Sequence, residues 1–195
     1  MKSLSLSQPH LLIVTGVPGS GKTFFAEKFA NTFRAPFVNY EKIALLCNSS
    51  DEQVVDELFG YQLDELLKTG QTILVEGAGE TRTGRIELAR RAKDAGYTSL
   101  IVWVQTDLST SKDRLTRPSK NNTQHLLSSE EYDRSFKRFT PPNTVEKTVV
   151  VSGKHTYATQ AKVVLKKLTA PRAEISAHTT PIATREPGRR NITVR

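Results

Sequence analysis

Apolar positions along this chain follow two rhythms. Short β-rich runs alternate with longer stretches whose apolar residues fall three and four apart, a pattern that predicts a parallel sheet joined by helices. Leu11 to Thr15 reads as a buried strand. Gly21 to Phe33 reads as a helix, with Phe25, Phe29 and Phe33 on one face, and Pro36 to Asn39 as a short second strand. Asp51 can cap a helix whose apolar positions run from Val54 to Leu67 and which Gly70 ends. Thr72 to Glu76 is a third strand, followed by a helix from Thr83 to Ala95 that Gly96 stops.

The same alternation continues in the second half. Thr98 to Val104 forms a fourth strand, and Asp107 can cap a helix reaching Leu115. Arg117 to Leu127 is polar and irregular, with Pro118, Asn121 and Asn122, and reads as a loop. Ser128 and Glu131 make a capping-box pattern for a helix reaching Phe139, which Pro141 and Pro142 terminate. Lys147 to Ser152 is a fifth strand and His155 to Leu168 a last amphipathic helix. Beyond Leu168 no apolar period survives. Residues 169–195 hold three prolines and five arginines against two glutamates, which predicts a flexible basic tail behind a single domain over residues 1–168.

Composition adds limits. At 195 residues the chain fits one domain, and its net charge of +8 favours anionic partners. Charge alone does not separate nucleotides, phosphorylated metabolites and nucleic acid. Cys47 is the single cysteine, which excludes an intrachain disulfide and a thiol-rich metal centre and suits a cytoplasmic location. No apolar run approaches the ~20 residues that span a bilayer, and the N-terminal segment is too short for a signal peptide. The histidines show no metal-ligand spacing, and Trp103, inside an apolar strand, reads as a core residue.

The strongest chemical signal is Gly16-Val17-Pro18-Gly19-Ser20-Gly21-Lys22-Thr23, which fits GxxxxGK[ST]. Between a β-rich run and an amphipathic helix, such a loop turns its backbone N–H groups toward a phosphate at the helix N-terminus. Lys22 reaches the β and γ phosphates, and the Thr23 hydroxyl binds Mg²⁺. The absence of an N-K-x-D guanine signature favours ATP.

With that loop placed, residues 10–168 resemble the P-loop kinases, in particular the predicted-kinase group of AAA-like domains that includes polynucleotide kinase and zeta-toxin domains. The resemblance rests on the phosphate loop, Glu41 after the second strand, ILVEG at the third, and Arg85 in the next helix. It extends to the Asp107 helix with Arg114 and Arg117, and to Phe139-Thr140-Pro141-Pro142. It implies a three-layer P-loop fold around a five-stranded parallel sheet of order 2-3-1-4-5, with a lid beginning at Arg117.

The resemblance also implies roles. Glu76 orients the Mg²⁺ shell or the attacking group, although the group more often has Asp there; capping of the Gly77–Gly79 turn is the alternative. Glu41 stands where an Asp accepts the substrate proton, and an exposed helix-start glutamate would look the same, so the choice of base between Glu41 and Glu76 is open. Arg117 neutralises charge on the transferred group, and Arg114 does the same or stacks on adenine. Arg82 and Arg85 face the acceptor. The expected function is transfer of the γ-phosphoryl of ATP to a hydroxyl of a small molecule. A 5′-hydroxyl polynucleotide kinase and an ATP-binding switch with a partner-binding tail are the alternatives. The sequence leaves the oligomeric state undefined.

Overall fold

The computed structural model describes residues 8–48, 51–117 and 127–169. The expected residues 118–126 of the lid and the tail from 170 onward lie outside them. Twelve elements follow in order: β1 (His10–Thr15), α1 (Lys22–Phe33), β2 (Phe37–Asn39), α2 (Tyr40–Cys47), α3 (Glu52–Leu67) and β3 (Ile73–Glu76). Then come α4 (Arg82–Asp94), β4 (Thr98–Gln105), α5 (Leu108–Thr116), α6 (Ser129–Arg138), β5 (Thr148–Ser152) and α7 (Tyr157–Leu168).

The five strands form one parallel sheet in the order β2-β3-β1-β4-β5. β1 lies in the middle, paired to β3 on one side and β4 on the other. Its residues from Leu11 to Thr15 are buried without alternation, as both faces of a parallel sheet demand. Odd and even positions therefore feed two separate cores. Leu12 and Val14 join Phe25 and Phe29 of α1 and Val164 and Leu168 of α7. Leu11 and Ile13 join Phe59 and Leu63 of α3 and Leu88 of α4 on the opposite face.

The helix boundaries follow from side-chain chemistry. Asp51, Thr81, Asp107 and Ser128 each accept a hydrogen bond from a backbone N–H in the first turn of the helix they precede. At α6 the capping box is complete, with the Glu131 carboxylate accepting the Ser128 N–H at 2.7 Å. In α1 Phe25, Phe29 and Phe33 meet in sequence with tilted rings, their centroids 5.5 Å and 4.5 Å apart.

Two features differ from the sequence reading. Residues 40–47 form a separate helix, α2, in which nothing is buried, so no apolar period announced it. Trp103 is only half-buried, because the core beneath α3 and α4 ends before it and its ring meets Phe139 instead. Among the described residues no helix is long and apolar enough to cross a membrane.

Candidate functional site

The chain reverses between β1 and α1 through residues 16–21, above the carboxyl end of the central strand. In a parallel sheet this is where the connections on either side diverge and leave a crevice. Gly19 holds φ +73, and a Cβ there would lie 2.3 Å from the Ser111 carbonyl oxygen of α5. The loop and α5 thus fit together only because that position has no side chain. The other side of the loop is closed by Gly153, after β5, whose added Cβ would meet the Ser20 carbonyl oxygen at 2.0 Å.

Lys22 opens α1 and turns its ammonium back over the loop, donating to the carbonyls of Gly16 at 3.0 Å and Val17 at 3.4 Å. Among the described residues it makes no ion pair, and its charge acts at longer range on the Glu76 and Glu80 carboxyls. The Ser20 hydroxyl is buried without a hydrogen-bond partner among the described residues, an orphan that a bound ligand or water can satisfy.

Three elements converge on Glu76. The Thr23 hydroxyl of α1 donates to Glu76 Oε1 at 2.7 Å, and Asn39 Nδ2, at the end of β2, donates to Oε2 at 3.1 Å. Asn39 also caps α2 by accepting the Lys42 N–H at 2.8 Å. Burial pushes the Glu76 carboxyl up to about 7; the Thr23 hydrogen bond and the Lys22 charge oppose this, while Glu41 and Glu80 add to it. Glu41, in the first turn of α2, is exposed, and its charge acts on both Glu76 and Glu80.

Glu80 was not singled out from the sequence. It stands on the loop between β3 and α4, with its carboxyl pushed up by burial and held back by Lys22. Its backbone is fixed from below: the Glu80 carbonyl accepts the Thr140 N–H at 2.9 Å, and Arg85 donates to the Gly79 carbonyl at 3.2 Å. The usable signal was a second acidic residue four positions after Glu76, which a strand-end reading passes over.

Arg85 itself does not face an acceptor. It is 1% exposed, forms an ion pair with Glu146 through Nε at 2.7 Å, and donates to the Thr140 carbonyl at 2.8 Å. Those bonds tie the loop after β3 to the segment after α6. Arg82, by contrast, is exposed at the start of α4. Arg114 lies beside the phosphate loop and donates to the carbonyls of Gly19 and Gly153, each at 3.2 Å. Arg117 is not brought to the loop: it stays exposed and pairs with Asp113 at 3.3 Å. Lys22, Thr23, Glu76 and Arg114 therefore gather around the glycine loop, with Glu41 and Glu80 nearby.

The donors suit a hard cation. Thr23 and Glu76 supply oxygen ligands, and Mg²⁺ keeps several waters and needs only one or two protein oxygens beside phosphate. Among the described residues no group of three His, Cys, Asp or Glu side chains forms a metal site of its own. The hydroxyl–carboxylate pair, the Lys22 ammonium and the buried, unpartnered Ser20 hydroxyl fit a Mg²⁺–nucleotide.

Known proteins carry the same architecture. The model of the family described as AAA domain matches residues 11–142. A gluconokinase from Sinorhizobium meliloti superposes with a TM-score of 0.59 at 20% identity, covering 82% of this chain and 91% of that one. Kti12 from Chaetomium thermophilum, solved in complex with ADP-AlF3, gives 0.57 at 16% identity, covering 82% and 100%. An APS kinase from Mycobacterium tuberculosis, in complex with AMPPNP and APS, gives 0.59 at 15% identity, covering 84% and 99%. At these identities the likeness is one of fold, that of the P-loop kinases. No curated protein matches the sequence.

Proposed function

Because the chain belongs to the AAA domain family, we propose that it is an ATP-dependent phosphotransferase that moves the γ-phosphoryl group to a hydroxyl of a small molecule. The observation that carries this reading is the junction of Thr23, Glu76 and Asn39 beside the Lys22 ammonium. A loop that only turned the chain would not need a buried carboxylate under a cation. The kinases among its structural neighbours support the reaction class.

Each residue has a part. The backbone N–H groups of residues 16–21 bind the phosphates, with Val17, Pro18 and Ser20 shaping the loop between its glycines. Lys22 holds the transferring group in line. Thr23 and Glu76 hold Mg²⁺, which when bound neutralises charge on the phosphate oxygens. Arg114 braces the loop against the turn after β5, where it flanks the nucleotide, and Arg117 stands at the entry to residues 118–126 with a charge to add.

In the transfer, the acceptor oxygen bonds to the γ-phosphorus as the bond to the β–γ bridging oxygen breaks, leaving ADP. The hydroxyl proton passes to a carboxylate. Glu76 is already engaged by two donors, so Glu41 or Glu80 is better placed to receive it. The test is a screen of candidate acceptors with γ-labelled ATP and Mg²⁺, with Lys22→Ala as the blank. Transfer of label, reduced at least a hundredfold in the variant, is the expected result. Hydrolysis to phosphate with no labelled acceptor would leave an ATPase switch in its place, and labelled oligonucleotide ends would move the reading to nucleic acid.

A further inference from the structure

One feature of the site has no part in phosphate binding. A cleft of about 460 Å³ runs along the face of β4 and β5, and its wall includes Val17 of the phosphate loop. Trp103, Phe139 and Val150 give it an apolar side, while Thr106, Asp107 and Lys154 line it with polar groups. Trp103 and Phe139 meet with centroids 6.3 Å apart and planes tilted 44°. Their rings therefore form an open corner, not a closed stack. Val150, on the edge strand, is 47% exposed.

We propose that this cleft seats a flat aromatic ring of the acceptor, whose hydroxyl is thereby presented beside Val17. The acceptor is then an aromatic or heteroaromatic alcohol, not an open-chain polyol or a simple sugar. The inference rests on the phosphotransferase reading and narrows its substrate class. Three arguments lead to it. The volume lies in the range of ~300–1,000 Å³ found for small-molecule sites, which combine an apolar lining with few polar groups. A polyol laid against Trp103, Phe139 and Val150 would lose water from its hydroxyls without gaining partners, whereas a ring matches that wall. Continuity with Val17 places whatever fills the cleft within reach of a phosphate held by the loop, while the polar side is already engaged, Asp107 with Lys154 and the Thr106 hydroxyl with the Ser20 carbonyl.

Trp103 is the only tryptophan, so its indole N–H resonance reports on this cleft alone. The experiment titrates benzyl alcohol into the full chain loaded with Mg²⁺ and a non-hydrolysable ATP analogue, with glycerol as the ring-free comparison. A saturable shift of that resonance with a Kd of about 1 mM, a value that eight heavy atoms can supply, is expected. It should be at least tenfold tighter than any effect of glycerol. Val150→Lys, at an exposed edge-strand position, should weaken it at least tenfold; Phe139→Ala is the second variant. No saturable shift, equal response to glycerol, or a shift untouched in both variants overturns the proposal. In the label-transfer screen, phosphorylation confined to ring-free polyols overturns it as well. Calorimetry of Mg·ATP separates the two readings: normal ATP binding with no response at Trp103 sinks the ring site alone. A response at Trp103 with no ATP binding sinks the phosphotransferase instead.

Discussion

At the scale of single residues, two buried charged groups do opposite things. Arg85 is the larger structural liability: its guanidinium is enclosed by Glu146 and by the carbonyls of Gly79, Glu80 and Thr140. Removing it leaves the Glu146 carboxylate without its ion pair, held only by the Asn143 N–H, and takes a donor from the Thr140 carbonyl. Arg85→Ala is expected to cost about 3–5 kcal/mol of stability, measured by chemical denaturation. Glu76 instead carries a cost that depends on pH. Its carboxyl titrates near 7 in the folded chain against an ordinary 4.5, so between those values the folded state holds a proton that the unfolded state has released. Stability is therefore full below pH 4.5 and falls as pH rises through 7, by about 3 kcal/mol from this group. Melting followed from pH 5 to 8 without nucleotide or metal should show that slope, and Glu76→Gln should flatten it.

Among the elements, the phosphate loop is a joint between parts distant in sequence. α5 presses on it at Gly19, the turn after β5 presses on it at Ser20, and Arg114 stitches the two contacts with bonds to Gly19 and Gly153. Gly153 also approaches Thr106, whose hydroxyl donates to the Ser20 carbonyl at 3.1 Å. Gly153→Ala would drive a methyl into the Ser20 carbonyl, and the loop must move to admit it. Titration calorimetry of Mg·ATP is expected to show at least tenfold weaker binding, alongside a loss of about 1–3 kcal/mol in stability from the overpacked contact. An unchanged affinity would mean that this turn does not set the loop's shape. The helix caps, by contrast, act locally. Each of Asp51, Thr81, Asp107 and Ser128 closes its own first turn, and Asp107 in addition pairs with Lys154 of the turn after β5.

For the whole molecule, the core between the sheet and helices α1 and α7 is completed by Leu168, the last residue of α7. A chain ended after Thr169 keeps every contact of that core. Its melting temperature is expected to stay within about 2 °C of the full chain, the shift that a few tenths of a kcal/mol would cause in a domain of this size. Its Mg·ATP affinity should not change. A large loss of either would give residues 170–195 a place in the domain and remove the boundary at 168.

Much of this architecture was legible in the sequence because it depends on short-range pattern. Continuous apolar runs mark strands buried on both faces, the phenylalanine spacing marks α1, and cap residues mark helix starts. The glycine loop declares its chemistry because backbone N–H groups can converge on a phosphate only where side chains are missing. The resemblance supplied the sheet order, which no local rhythm contains. What tertiary structure alone decided is which charged groups meet and which are enclosed. The resemblance turns Arg85 toward an acceptor until Glu146, 61 positions away, is seen beside it, and Glu80 gains meaning only when α1 brings Lys22 near it. Trp103 sits in an apolar run, yet the packed core ends before it and leaves its ring on a cleft. The physical reason is the same in each case. Periodicity fixes which face of an element is apolar, whereas the desolvation and pairing of a charge depend on neighbours that only the folded chain assembles.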